Sequence, residues 1–145
     1  MRLITEAHKM EIVITAWALN SYLELKHRNI FSPEEYKQTL RPDVLLLRGY
    51  PNEPKFQNSK FWSVATDHSK NRIPDGFKMK WHNLGNGKIQ MRLPVGMFQM
   101  LPNSTLLCEA YVKGNAKEEQ RKLARFKTHL ALIRQNRFTE CGRLS

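Results

Sequence analysis

The sequence predicts an α+β fold, a small antiparallel sheet with an N-terminal helical pair and a C-terminal helix. Three stretches carry that prediction: an apolar β-branched run that ends in a helix-capping residue at Thr15, an alternating stretch folded about a turn signal between Phe77 and Leu93, and a basic amphipathic stretch after Asn115. The chain of 145 residues has enough material for one domain with a real core and too little for two. We read 1–145 as a single domain with its core at about 10–134 and a tail at 135–145.

Met10–Thr15, "MEIVIT", holds the β-branched Ile12, Val13 and Ile14 expected of a strand. Thr15 then caps a helix whose Ala18, Leu19, Tyr22, Leu23 and Leu25 recur at three- and four-residue spacings. A second helix starts at "SPEE", with Ser32 as cap, Pro33 in the first position and Glu35 closing a capping box. Pro42 disfavours helical geometry at Arg41 and is expected to end it. "RPDVLLLRGYPNEP" has room for one more turn of helix before Gly49 and two prolines end it, and its Val44–Leu47 run is too short for periodicity to decide between helix and strand.

From there the texture turns to aromatic and β-branched runs. "KFWSVAT" reads as a strand, and "GFKMKWHN" alternates Phe77, Met79 and Trp81 with Lys78, Lys80 and His82. "LGNG" signals a turn, and "KIQMRLPV" returns with Ile89, Met91 and Leu93 on one face and Gln90 and Arg92 on the other. "STLLCEAYVKG" alternates less and is expected to be central in the sheet. The last helix begins near Asn115, with a seam of Leu123, Phe126, Leu130 and Ile133 and with Lys117, Arg121, Lys122, Arg125 and Lys127 in solvent. These elements predict helices packed on one face of a sheet.

Lys and Arg total 24 against 13 Asp and Glu, a formal charge of +11 that favours a polyanionic partner, nucleic acid first. Charge alone leaves an anionic membrane surface or an acidic protein open. No stretch reaches the roughly 20 apolar residues that span a bilayer, and Glu6, His8, Lys9 and Glu11 interrupt the N-terminus, so neither a membrane span nor a signal peptide is expected. A soluble cytoplasmic protein with reduced Cys108 and Cys141 is the expectation. The five histidines and two cysteines lack a ligand spacing such as HxxxH or CxxC, so neither a metal nor another cofactor is expected.

The ordered set "GFKMK", "IQMRL", "LLCEAYVK" and "NAKEEQRKLARFK", behind a helical pair, resembles the RelE/HigB branch of the RelE/ParE toxin superfamily from about Met10 to Arg134. The resemblance implies a RelE-like fold and a toxin of a toxin-antitoxin pair. Its activity would be a metal-independent endoribonuclease on mRNA, acting at the ribosome and inhibiting translation, and its partner a cognate acidic antitoxin. Some members of the superfamily inhibit gyrase, so a binding toxin of the same fold without catalysis is the alternative. Departures are the segment "FQNSKFWSVATDHSKNRIP" and the tail, which fall outside the common core, and Lys113-Gly114 where relatives often carry paired lysines.

Cutting RNA without metal needs an activated 2′-hydroxyl, positive charge on the developing phosphorane and a proton for the leaving 5′-oxygen. Lys78 and Lys80 are the expected phosphate ligands, Arg92 the group on the scissile phosphate, and His82 the base or acid. Tyr111, Lys113, Arg121, Lys122 and Arg125 are the expected RNA contacts. Read without the resemblance, an alternating lysine face also fits a solvated surface, and Trp62 and Trp81 fit a core as well as a base-stacking platform. Glu109 is an acid in an apolar strand, to be paired with a cation, used as a proton acceptor, or placed at an edge. Arg48, Ser63 and Glu109 also occur in the order used by arginine-serine-glutamate ADP-ribosyltransferases, a lower-ranked reading.

Overall fold

Ile12 and Val13 set the architecture at the first strand, because neighbours along a strand point to opposite faces and each is buried in a different core. The computed structural model describes residues 9–145; Glu6 and His8, used in the N-terminal reading, lie outside the described residues. Among the described residues seven strands form one sheet: β1 (Glu11–Thr15), β2 (Trp62–Thr66), β3 (Arg72–Asn83), β4 (Ile89–Gly96), β5 (Ser104–Leu107), β6 (Tyr111–Val112) and β7 (Glu140–Leu144). Their order is β2-β3-β4-β5-β1-β7, with β6 also paired to β4. The helices are α1 (Ala16–His27), α2 (Pro33–Glu35), α3 (Arg41–Leu45) and α4 (Ala116–Arg134).

The α+β class holds, but the sheet is neither small nor wholly antiparallel. β1 runs parallel to β5, with Glu11 opposite Ser104 and Ile14 opposite Leu107. The helices also occupy both faces rather than one. Ala18, Leu25, Phe31, Leu40 and Val44 from the N-terminal helical layer bury one face, and Leu123, Phe126, Leu130 and Ile133 of α4 bury the other.

Two expected boundaries are corrected. Thr15 and Ser32 cap as read, Ser32 in a full capping box with Glu35, but the second helix does not end at Arg41. A π-helical turn, Tyr36–Leu40, carries the chain on, and the Arg41 N–H donates to the Tyr36 carbonyl. That wider turn relieves the crowding a proline ring imposes on the preceding turn, so α3 contains Pro42 and continues into a 3-10 turn at Leu46–Gly49. The tail is also a strand: β7 pairs antiparallel with β1, Ile12 opposite Leu144 and Val13 opposite Arg143. Glu140, Cys141, Gly142 and Arg143 are exposed, so backbone bonds rather than a buried side-chain row hold it.

The hairpin is as read. Lys80 faces Arg92, Met79 faces Leu93 and Trp81 faces Met91, while Gly85 and Asn86 close the turn with left-handed φ of 58° and 60°. The expected strand after Asn103 breaks at Cys108–Ala110, giving β5 and β6 on the same neighbour, β4.

α4 is placed by a close approach. Gly76 of β3 and Gly96 of β4 sit opposite each other, and a Cβ at Gly76 would come within 2.8 Å of Phe126 while one at Gly96 would come within 3.0 Å of Leu130. Each buried seam residue contributes on the order of 1.5–3 kcal/mol. A partly exposed ion pair contributes at most about 1 kcal/mol, so the seam fixes the helix. Gly76→Ala is therefore expected to lower the unfolding free energy by about 1–3 kcal/mol in urea titrations. Gly49→Ala, where an added Cβ meets only atoms at 3.7 Å, is expected to change it by less than about 0.5 kcal/mol.

Candidate nucleic-acid interface

Directly paired residues of an antiparallel ladder share a face. Lys80, Arg92 and Tyr111 therefore form one row across β3, β4 and β6. Ser63, Lys78 and Pro94 form the next row toward α4. Beyond Arg92, the Lys113 N–H donates to the Gln90 carbonyl and brings the end of β6 alongside β4. The expected cluster of Lys78, Lys80, Arg92, Tyr111 and Lys113 thus lies on one sheet face, at the N-terminal end of α4.

A carboxylate stands among these cations. Glu119, in the first turn of α4, accepts from the Tyr111 hydroxyl at 2.8 Å and lies 3.7 Å from Lys78 Nζ. Its other oxygen is buried without a partner. Glu119 reads in sequence as an acid favouring the helix dipole, and nothing in the chain marks it as the residue that meets the hairpin lysines. Asn115 fixes it there by accepting from the Glu118 N–H.

Burial pushes the Lys78 ammonium below the usual lysine range; Glu119 opposes that, and Arg92 and Lys113 add to it. Lys80 is lowered by burial and then by Lys78, Arg92 and Lys113. Burial also lowers Arg92, against the pull of Glu119. The Tyr111 hydroxyl is raised by burial and by Glu119, so it stays a donor.

The cluster shares a face but not a groove. Arg92 is only 4% exposed, and its guanidinium donates to the carbonyls of Trp81 and Met91 and to Gln90 Oε1 at 3.1–3.4 Å. It projects charge from beneath the surface and does not present the open fork expected for a scissile phosphate. Lys80 Nζ donates to the Ser59 carbonyl at 2.6 Å, and His82 Nε2 meets the Lys60 carbonyl at 2.6 Å. A carbonyl only accepts, so Nε2 carries the hydrogen and Nδ1 is the open acceptor of the neutral ring. Lys60, Lys80 and His82 line a concavity of about 690 Å³, whereas Tyr111, Lys113 and Lys122 line a separate one of about 210 Å³.

On α4, Arg121 is exposed, while Lys122 and Arg125 are held by Glu109 at 3.0 and 2.9 Å. Glu109 is thus the paired acid, with burial raising its carboxyl and the two cations overcoming that to hold it below the usual range. Arg48 sits beside Met10, at the end of the sheet where β5 begins, and Glu109 follows the other end of β5. The arginine-serine-glutamate set is therefore not assembled. Trp62 and Trp81 belong to the core: Trp62 stacks on Phe77, and the Trp81 indole N–H donates to Asp43 at 2.9 Å.

Among the described residues no group of three or more His, Cys, Asp and Glu is placed to hold a metal ion, and no helix is long and apolar enough to cross a membrane. No family model, curated protein or solved structure matches the chain.

Glu119 opposes the desolvation of Lys78, so removing its charge moves the lysine further down. Glu119→Gln is expected to lower the Lys78 pKa below its wild-type value in a side-chain NMR titration. An unchanged Lys78 titration would show that the two groups are not coupled.

Proposed function

We propose that the protein is an RNA-directed toxin of the RelE/HigB kind, a metal-independent endoribonuclease that works on mRNA at the ribosome in the cytoplasm. The observation that carries this reading is the row of Lys80, Arg92 and Tyr111 beside Lys78 on one sheet face, in a chain of formal charge +11. Single-stranded RNA is held by such a face through its phosphates.

Chemistry on this reading belongs at the concavity containing Lys80 and His82. His82 Nδ1 takes the proton of a ribose 2′-hydroxyl as its oxygen attacks phosphorus. The bond from phosphorus to the 5′-oxygen breaks, leaving a 2′,3′-cyclic phosphate. Lys80, whose ammonium is more acidic than an ordinary lysine, donates the proton the departing oxygen needs. Lys60 and Lys113 hold flanking phosphates, and Arg92 stabilises the developing charge from below. An acidic antitoxin segment would compete for the same cations.

Arg92 burial and the Lys78–Glu119 pair favour a second reading, in which the same face binds nucleic acid or a host protein such as gyrase without cutting anything.

Labelled single-stranded RNA, with and without ribosomes, separates the two. The nuclease reading expects Lys80→Ala and His82→Ala each to slow cleavage about 100-fold or more while the variants unfold like wild type; cleavage at the wild-type rate by both removes the assigned site. For binding, Lys80→Ala with Lys113→Ala is expected to flatten the plot of log affinity against log salt by about 0.7 for each lysine. A flattened slope with no cleavage by wild type selects the second reading.

A further inference from the structure

The sheet face opposite the cationic row holds a cavity of about 270 Å³ between the N-terminal helices and the sheet. Leu25, Phe31, Val44, Leu93 and Leu107 form its apolar body. An apolar cavity of about 150 Å³ already takes up benzene, and this one has room for a longer chain. The space opens toward solvent, which gives a ligand a way in, and its apolar lining gains dispersion contacts when an apolar body fills it.

Its polar groups are few and gathered together. Among the described residues Arg41 is the one charged residue of the lining, and Tyr22 and Tyr36 stand with it. The Tyr22 and Tyr36 rings lie with centroids 5.2 Å apart, and Arg41 lines the same cavity. Arg41 is half-buried, and its guanidinium donates to the main-chain oxygen of Ser145 at 2.6 Å on the solvent side of the cavity. An apolar body with two phenols at one end, Arg41 beside them and Lys26 Nζ 5.8 Å from the centroid of the Tyr22 ring, is complementary to a molecule with one anionic end.

We propose that this cavity binds a small amphipathic carboxylate, its hydrocarbon or aromatic body among the leucines and its carboxylate on Arg41 in place of the main-chain oxygen of Ser145. Such a ligand satisfies the guanidinium with a charge-assisted bond. It also fills the apolar space. The site is separate from the cationic sheet face, so it stands whether or not that face cuts RNA.

Octanoate and octanol, titrated into the full chain by calorimetry with methyl NMR, test it. Octanoate is expected to bind with shifts centred on Val44, Leu93 and Leu107. Arg41→Gln is expected to weaken octanoate at least fivefold while leaving octanol within twofold, a split that loss of folding would not produce. Ala18→Leu, which extends a lining side chain into the space, is expected to weaken both; thermal melts show whether it folds, and Arg41→Gln carries the test if it does not. Octanoate shifts confined to the lysine-rich face, no binding of octanoate to wild type, or equal affinity in Arg41→Gln would overturn the proposal.

Discussion

The seat of α4 on the Gly76–Gly96 pair is the constraint on which the rest of the cationic face depends. Only paired glycines let Phe126 and Leu130 come so near the backbone of β3 and β4. With those two residues seated, the helix axis is fixed, and its first turn falls beside β6, where Glu119 meets Tyr111 and Lys78. A helix standing off the sheet by even one methyl group would carry that carboxylate away from the lysine and open the space that now desolvates Lys78. Apolar packing at one end of the helix thereby sets the electrostatics at the other.

The resulting electrostatics are unusual for a basic face. Exposed lysines repel one another weakly across water, but Lys78 and Arg92 are withdrawn from it, and burial is the largest cause of the downward shift at each. Arg92 meets this by donating to two backbone carbonyls and an amide oxygen rather than to a carboxylate. Its charge is then hydrogen-bonded without being neutralised. At Lys80, burial first, then Lys78 and then the uncompensated charge of Arg92 make the ammonium a readier proton donor. A cation that is satisfied but not cancelled suits a surface that must attract an anion.

Much of this was legible in the chain. The alternation of residues 77–82 and 89–93 gave both the hairpin and the sharing of a face by Lys80 and Arg92, because a two-residue period leaves no other arrangement once one side is buried. Thr15, Ser32 and Asn115 announced their helices, since each cap acts within three residues. What stayed hidden was non-local or carried by backbone. β7 has no buried alternating row, and the parallel pairing of β1 with β5 joins residues more than ninety positions apart with no side-chain period to declare it. Pro42 was read by its usual effect, and only the π-helical turn before it shows how that effect is evaded. Arg92 looked like its neighbours in sequence; the depth at which its guanidinium lies depends on the fold of Trp81, Met91 and Gln90 around it.

The two faces of the sheet resolve the competition between packing and polarity differently. Under α4 the contacts are so close that glycine is required. Under α1, α2 and α3 the residues are larger and more aromatic, with Tyr22, Phe31 and Tyr36 meeting ring to ring, yet they leave the cavity between them. Helices joined through a π-helical turn have their spacing from the sheet set by backbone as well as by side chains. Glycine thus draws α4 onto the backbone of the sheet, and free volume collects under the aromatic layer on the opposite face.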